Sequence, residues 1–396
     1  MRIGARVRSV IFWTHLAIGL AAGLIILLMS VTGVMLGFER QMIAWIDGAP
    51  RVAASSAPSL PLDSVLARAG LPRDTVMSIV VRRDATLPVT VRVREGSPVQ
   101  LDPFRGDVLV ASGTGKGQEF FSALRRWHRW VGAQGQELRA QMKILAGVAN
   151  LLFLALVLSG LYLWWPRHWS WKRLRAIARP QWHHAGKARD FNWHNSLGFW
   201  AAIPLALVIA SAAFISFRWP GQWLDVALGN ERERAVAREA MRATEATPAA
   251  ASRERSSDTP ARQFDDAAFA LLVNQAITAH PNWTQLTITL PTGNADVVRV
   301  AVAEGNTYRP DLRWTLTMDR ESAALQESTG YADLSPARKI RSWVRFGHTG
   351  EVFGITGQII ATLASAVGVL LVWTGFMLAW RRWNSWRARR RRVAVT

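Results

Sequence analysis

The 396-residue chain has no cysteine. Disulfides, thiolate metal sites, iron–sulfur clusters and covalently attached c-type haem are excluded with it, since each requires a cysteine sulfur. Nucleotide-binding signatures are absent too. No Gly-x-Gly-x-x-Gly opens a helix after a strand, and Ser112-Gly113-Thr114-Gly115-Lys116-Gly117 lacks the upstream glycine of a phosphate loop. Acidic residues number 28 against 48 basic ones, and four long stretches hold almost no charge of either sign. These are Val10 to Phe38, Ile144 to Trp165, Leu197 to Phe217 and Ile355 to Trp380. Each exceeds the ~20 residues a helix needs to cross hydrocarbon.

Four membrane-spanning helices are therefore expected. Arg2, Arg6 and Arg8 precede the first run as they would in a secretory signal, but its apolar stretch is far longer than the ~7–15 residues of a signal core. An uncleaved helix is the expectation. The spans are placed at 10–38, 143–165, 195–217 and 354–380, with connections at 39–141, 166–194 and 218–347 and a basic tail at 381–396.

The excess of positive charge is unevenly distributed. Residues 1–10, 166–194 and 381–396 together carry seventeen Lys and Arg and one Asp. The two long connections, counted over 39–141 and 218–354, hold 14 basic against 10 acidic and 16 against 17 residues. This positive-inside pattern predicts cytoplasmic termini, a cytoplasmic middle loop and two extracytoplasmic loops. A charge collar at the bilayer accounts for the basicity, and no nucleic-acid partner is needed. Many of the 20 tryptophans fall near the predicted interfaces, as an aromatic belt does; Trp127 and Trp193 adjoin histidines and could also pack on a cofactor.

The long connections read as two small α+β units. The first has a helix over Leu62 to Ala69, then strands at Val76 to Val81, Val89 to Val93, Val99 to Leu101 and Val108 to Val110. The last two flank Asp102-Pro103-Phe104-Arg105-Gly106, a string with turn chemistry. The second has a helix over Phe264 to Ala279, then strands at Leu286 to Leu290, Val297 to Val302 and Trp314 to Met318. Its turn, Asp319-Arg320-Glu321-Ser322, has neither Pro nor Gly, so that hairpin is less clearly marked. The stretch 231–263 reads as an exposed helix running into a flexible linker. The expected fold class is thus membrane α-helical: four transmembrane helices in two pseudo-repeated halves, each with an extracytoplasmic α+β insertion. Both halves start on one side, so an axis along the membrane normal would relate them.

Four histidines stand at the mouths of the apolar runs: His15, His128, His194 and His348. Three share His-x-x-x-Gly, reaching Gly19, Gly132 and Gly198, and the fourth reads His348-Thr349-Gly350. A titratable or metal-ligating residue at membrane depth is a functional hypothesis by default. A glycine one turn away would leave room for a flat ligand. Topology puts His15 and His194 on the cytoplasmic side and His128 and His348 on the other. Two axial imidazoles saturate a haem iron and favour electron transfer. Two non-covalent b haems, one per membrane face and some 27–30 Å apart, are expected with these four residues as iron ligands. Thr32-Gly33, Ser159-Gly160 and Thr374-Gly375 read as small residues for close helix packing. His168 is a possible substitute ligand. His183 and His184 suit a solvated loop better than zinc, and His280 is expected at the surface.

Three stretches carry a family resemblance: Leu101-Asp102-Pro103-Phe104-Arg105-Gly106-Asp107-Val108-Leu109, Gly160-Leu161-Tyr162-Leu163-Trp164-Trp165-Pro166-Arg167 and His348-Thr349-Gly350-Glu351-Val352-Phe353-Gly354. With them nearly the whole chain resembles the PepSY-associated transmembrane-helix proteins, iron-regulated membrane proteins that include ferric-siderophore reductases of the ferrioxamine type. The resemblance implies PepSY-like insertions and a di-haem reductase of the bacterial inner membrane. Such an enzyme passes electrons to ferric siderophore in the periplasm and releases Fe(II). Its donor would be a cytoplasmic protein or a membrane quinol. Two other readings stand beside this one. The first is a non-enzymatic PepSY membrane protein that binds or restrains an extracytoplasmic partner. The second is a transporter, disfavoured because the apolar runs carry no Asp, Glu, Lys or Arg along a pathway.

Overall fold

The structure, a computed structural model, describes residues 2–48, 52, 58–72, 75–94, 98–111, 115–166, 170–229, 266–290 and 296–393. His168 and the stretch 231–263 lie outside the described residues. The chain divides into a helical unit (2–41, 120–221 and 344–396) and a sheet unit (42–119 and 222–343).

Four long helices make the helical unit: α1 (Arg2–Leu36), α5 (Gln136–Trp164), α7 (Gly186–Ser216) and α11 (Gly354–Val393). They pack in a ring, α1 on α5, α5 on α7, α7 on α11 and α11 on α1. All four are long and apolar enough to cross a membrane. Their outward faces carry bare Leu24, Ile203, Leu207, Leu363 and Trp373, which suits lipid as the solvent. Small residues let the helices approach. A Cβ on Gly23 would strike Phe376, and one on Gly147 would strike Phe217. Asn150 donates to the Ile209 carbonyl, 2.8 Å away, tying α5 to α7. Each helix begins earlier than its apolar run, so α7 also takes in Arg189 and the buried Asp190.

Shorter helices flank these. α2 (Glu39–Ile46) follows α1, and α4 (Lys116–Trp130) precedes α5. α6 (Trp171–Ala178) precedes α7, and α8 (Trp219–Ala227) follows it. α10 (Pro336–Thr349) precedes α11. α4 and α10 are amphipathic and basic, with Arg125, Arg126 and Arg129 on one and Arg338, Lys339, Arg341 and Arg345 on the other.

The sheet unit is one eight-stranded antiparallel sheet. Its strands are β1 (Val76–Arg82), β2 (Val89–Val93), β3 (Val99–Leu101), β4 (Val108–Ala111), β5 (Gln285–Thr289), β6 (Val297–Ala303), β7 (Arg313–Asp319) and β8 (Leu325–Gly330). The order β4-β3-β2-β1-β5-β6-β7-β8 joins the strands of the two long connections, Ile79 pairing with Ile288 at the seam. Alternation aims Ile79, Val91, Leu101, Leu286, Ile288, Val300, Leu316 and Met318 at one face. There α3 (Leu62–Arg68) and α9 (Asp266–Ala279) cover them with Leu66, Phe269 and Leu272. Each fully buried Leu, Ile or Met stabilises by about 1.5–3 kcal/mol.

The two hairpin turns close alike despite their different residues. Asp102 Oδ1 accepts from the backbone N–H groups of Phe104 and Arg105, and Gly106 follows at φ 78°. Asp319 Oδ1 accepts from the N–H groups of Glu321 and Ser322, and Ala323 follows at φ 55°. An aspartate-centred turn thus replaces Pro and Gly in the second hairpin. β8, which no apolar alternation announces, is an exposed edge strand with only Gly330 buried. His280 departs from its expected surface position. It is 8 % exposed, its Nδ1 lies 2.9 Å from Glu304 Oε1, and its ring centroid is 4.8 Å from that of Trp314. Its place at the C-terminal end of α9 swings it over β7.

Candidate cofactor site: two imidazole pairs

The helical unit brings four histidines together as two pairs. His15, in α1, and His194, in α7, have ring centroids 6.4 Å apart and planes at 84°. His128, in the last turn of α4, and His348, in the last turn of α10, have centroids 6.4 Å apart and planes at 52°.

Each imidazole is fixed through Nδ1 by a serine or threonine of a long helix. His15 Nδ1 is 2.8 Å from Ser159 Oγ, His194 Nδ1 2.9 Å from Thr374 Oγ1, His128 Nδ1 2.9 Å from Thr32 Oγ1 and His348 Nδ1 3.1 Å from Ser211 Oγ. Each hydroxyl gives its single proton to a carbonyl of its own helix: Ala155, Leu370, Leu28 and Val208 respectively. It must then accept from the imidazole, so the proton sits on Nδ1 and the lone pair on Nε2. His348 settles its own tautomer, because Nδ1 also lies 2.9 Å from the Val208 carbonyl, which can only accept. Among the described residues no hydrogen bond engages any of the four Nε2 atoms.

Three of these hydroxyls are followed by glycine, and there the ring lies against the backbone. A Cβ on Gly33, Gly160 or Gly375 would stand 3.6, 3.5 and 3.5 Å from Cε1 of His128, His15 and His194. The glycines at the His-x-x-x-Gly spacing do other things. A Cβ on Gly19 would meet Leu156 and one on Gly198 would meet Leu371, while Gly132 turns the chain after α4 at φ 80°, against Trp127. The hydroxyl-bearing dipeptides are visible in the sequence as Thr-Gly and Ser-Gly, and chain separation hides which histidine each one meets.

Thr32 stands seventeen residues beyond His15 on α1, and Ser211 seventeen beyond His194 on α7. At 1.5 Å per residue the pairs are therefore about 25 Å apart along the bundle. Their charge settings differ. Beside the first pair, Asp190 Oδ2 lies 3.2 Å from Arg381 Nε and Asp190 Oδ1 3.1 Å from Arg189, while Arg382 covers Phe12 and Trp13. Beside the second, Arg129 stands exposed near both imidazoles. Burial, then the His348 imidazole, then Arg129 push His128 down to about 4, and burial likewise lowers His348. Both are neutral at pH 7, the state a metal ligand requires.

The spacing tests what the pairs could hold. Two imidazoles on opposite sides of one metal, each at about 2.0–2.1 Å with about 1.1 Å from nitrogen to centroid, have centroids about 6.3 Å apart. The observed 6.4 Å in both pairs fits. Among the described residues neither pair gains a third His, Asp or Glu, so a bare zinc ion would lack its four ligands. A porphyrin supplies four nitrogens itself and leaves two axial positions, which fits two histidines. The buried indole N–H groups of Trp164 and Trp193 have no partner among the described residues. A buried ligand bearing carboxylates would satisfy such donors. His183 and His184 are exposed and join neither pair.

Comparison with known families adds the lineage. The family model described as the PepSY-associated TM region matches residues 12–382. The chain belongs to this family. It is a multi-pass membrane protein, with four apolar helices inside the matched region. No curated protein matches the chain.

Proposed function

We propose that this PepSY-associated membrane protein is a two-haem electron-transfer enzyme that reduces ferric siderophore outside the bacterial inner membrane. The observation that carries the reading is the pair of imidazole pairs, each at 6.4 Å, near opposite ends of one apolar bundle. Non-covalent b haem, when bound between each pair, supplies one-electron Fe(III)/Fe(II) chemistry and no proton transfer. His15 and His194 would hold the group on the cytoplasmic side, and His128 and His348 the one on the periplasmic side. The Nδ1–hydroxyl bonds keep each ring turned with its lone pair free. The apolar helices exclude water and lower the dielectric around both sites. A cytoplasmic donor, or a quinol giving up its two electrons one at a time, would reduce one Fe(III) chelate per electron, and the iron would leave as Fe(II). The charge pattern, with basic segments at both termini and the middle loop, supports this orientation.

The two halves of the chain are read as copies of one design. In each, a spanning helix carries a histidine and, seventeen residues on, a hydroxyl. A four-stranded meander with an aspartate-centred turn follows, then a basic helix ending in a histidine. The meanders would be PepSY-like insertions.

Absorption spectra of the detergent-solubilised protein, oxidised and dithionite-reduced, test the reading together with haem quantified per chain. A sharp reduced b-type spectrum near two haems per chain is expected. Protein made with haem precursor supplied and still free of haem would overturn the assignment. Oxidation of the reduced protein by a ferric hydroxamate, followed optically, tests the acceptor separately.

A further inference from the structure

We infer that the four hydroxyls of Thr32, Ser159, Thr374 and Ser211 are positioning residues that set the redox potential of the two iron sites, each site through its own two hydroxyls. The inference rests on the haem reading above. The spanning helices α1 and α7 each carry a ligand for one site and the controlling hydroxyl for the other. On α1 these are His15 and Thr32, and on α7 His194 and Ser211. Neither helix can shift along its axis without disturbing both sites.

The chemistry follows from the direction of the bonds. An imidazole donating from Nδ1 gains anionic character and becomes a stronger σ-donor at Nε2. Ferric iron is stabilised more than ferrous by such a ligand, so the bond lowers the potential. Each accepting oxygen is itself polarised, because its own proton is given to a helix carbonyl at 2.6–2.8 Å. The sites are not equal. His348, His128 and His194 each reach a helix carbonyl besides their hydroxyl, that of Val208, Met29 and Leu371 respectively, whereas His15 has Ser159 alone among the described residues. Ser211 is also the one member followed by Ala212 rather than glycine. Loss of the Ser211, Thr32 or Thr374 hydroxyl therefore leaves its imidazole a carbonyl acceptor, and loss of the Ser159 hydroxyl leaves His15 none among the described residues.

Spectroelectrochemical titration of the haem-loaded protein tests this with Thr32→Val, Thr32→Ser, Thr374→Val and Ser159→Ala. Thr32→Val should raise the potential of one haem and leave the other unmoved. Thr374→Val should raise the other haem, Ser159→Ala should raise that same haem by more than Thr374→Val does, and Thr32→Ser should keep the original value. Unchanged potentials, or equal shifts of both haems from one substitution, would overturn the inference. If Thr32→Val loses a haem while Thr32→Ser keeps it, the hydroxyl is still the group responsible. If both lose it, the methyl packing is what matters and the inference fails. Parent protein without haem would instead defeat the proposed function. Gly160→Ala and Gly160→Leu add a steric control. A bare Cβ makes ordinary contact with His15 at 3.5 Å, so Ala should leave both haems in place, and Leu should expel one.

Discussion

The two imidazole pairs share a centroid separation of 6.4 Å and differ in how the chain builds it. His15 and His194 belong to the spanning helices themselves, and their rings stand perpendicular at 84°. His128 and His348 end separate amphipathic helices, α4 and α10, and their rings are inclined at 52°. Left-handed turns at Val131 and Gly132, and at Gly350, redirect the chain into the helices that follow. The first pair is thus fixed by bundle packing alone. The second also depends on the seating of two short basic helices, one of them anchored by Arg125 to Glu39. Charge differs as well, since cations near the first pair are matched by Asp190 or aromatic rings, and Arg129 near the second stands exposed. The same ligand geometry is reached by two local routes with different electrostatics.

Breaking the pairs one at a time gives the largest expected effect. His194→Ala and His128→Ala should each leave about one haem per chain of an original two, with the remaining haem spectrally unchanged. If either single substitution emptied both sites, the pairs would not be independent. Charge comes next. Arg129→Gln should lower the potential of the His128/His348 haem only, because a cation beside iron favours the less positive ferrous state. An equal effect at both sites would contradict the placement of that charge.

Acid should also separate the histidines of the second pair from solvent-exposed ones. In haem-free protein His128 has a folded value of about 4, below the ordinary 6.5. The unfolded chain then binds a proton that the folded one refuses, so stability is full above 6.5 and declines as pH falls toward 4. Thermal unfolding in detergent across that window should show the decline, and His128→Asn should flatten it. The smallest effect concerns the turn after α4. Val131 is β-branched and sits at φ 51°, where a side chain costs roughly 1–2 kcal/mol. Val131→Gly should recover about 0.5–1 kcal/mol after the added freedom of the unfolded chain is counted. An unchanged midpoint would mean that the turn is not strained.

Much of this was legible in order along the chain. The four apolar runs, the histidines at their ends and seven of the eight strands follow from local pattern, because hydrophobic period is a property of neighbouring residues. β8 escaped because an exposed edge strand needs no buried alternation. The second hairpin lacked Pro and Gly, and Asp319 formed its turn through side-chain acceptance, with Ala323 in the glycine's place. The burial of His280 is not legible locally because it is due to Trp314 and Glu304, which lie on other elements of the sheet unit.

The amino-acid sequence by itself determined the membrane helices, the absence of any cysteine-ligated centre and the four imidazoles, since composition and periodicity suffice for each. Which hydroxyl would hold which imidazole was decided only by tertiary structure. Ser159 and His15 lie 144 residues apart and Thr374 and His194 lie 180 apart. A hydrogen bond of 2.8–2.9 Å between them exists only after four helices have packed to that distance.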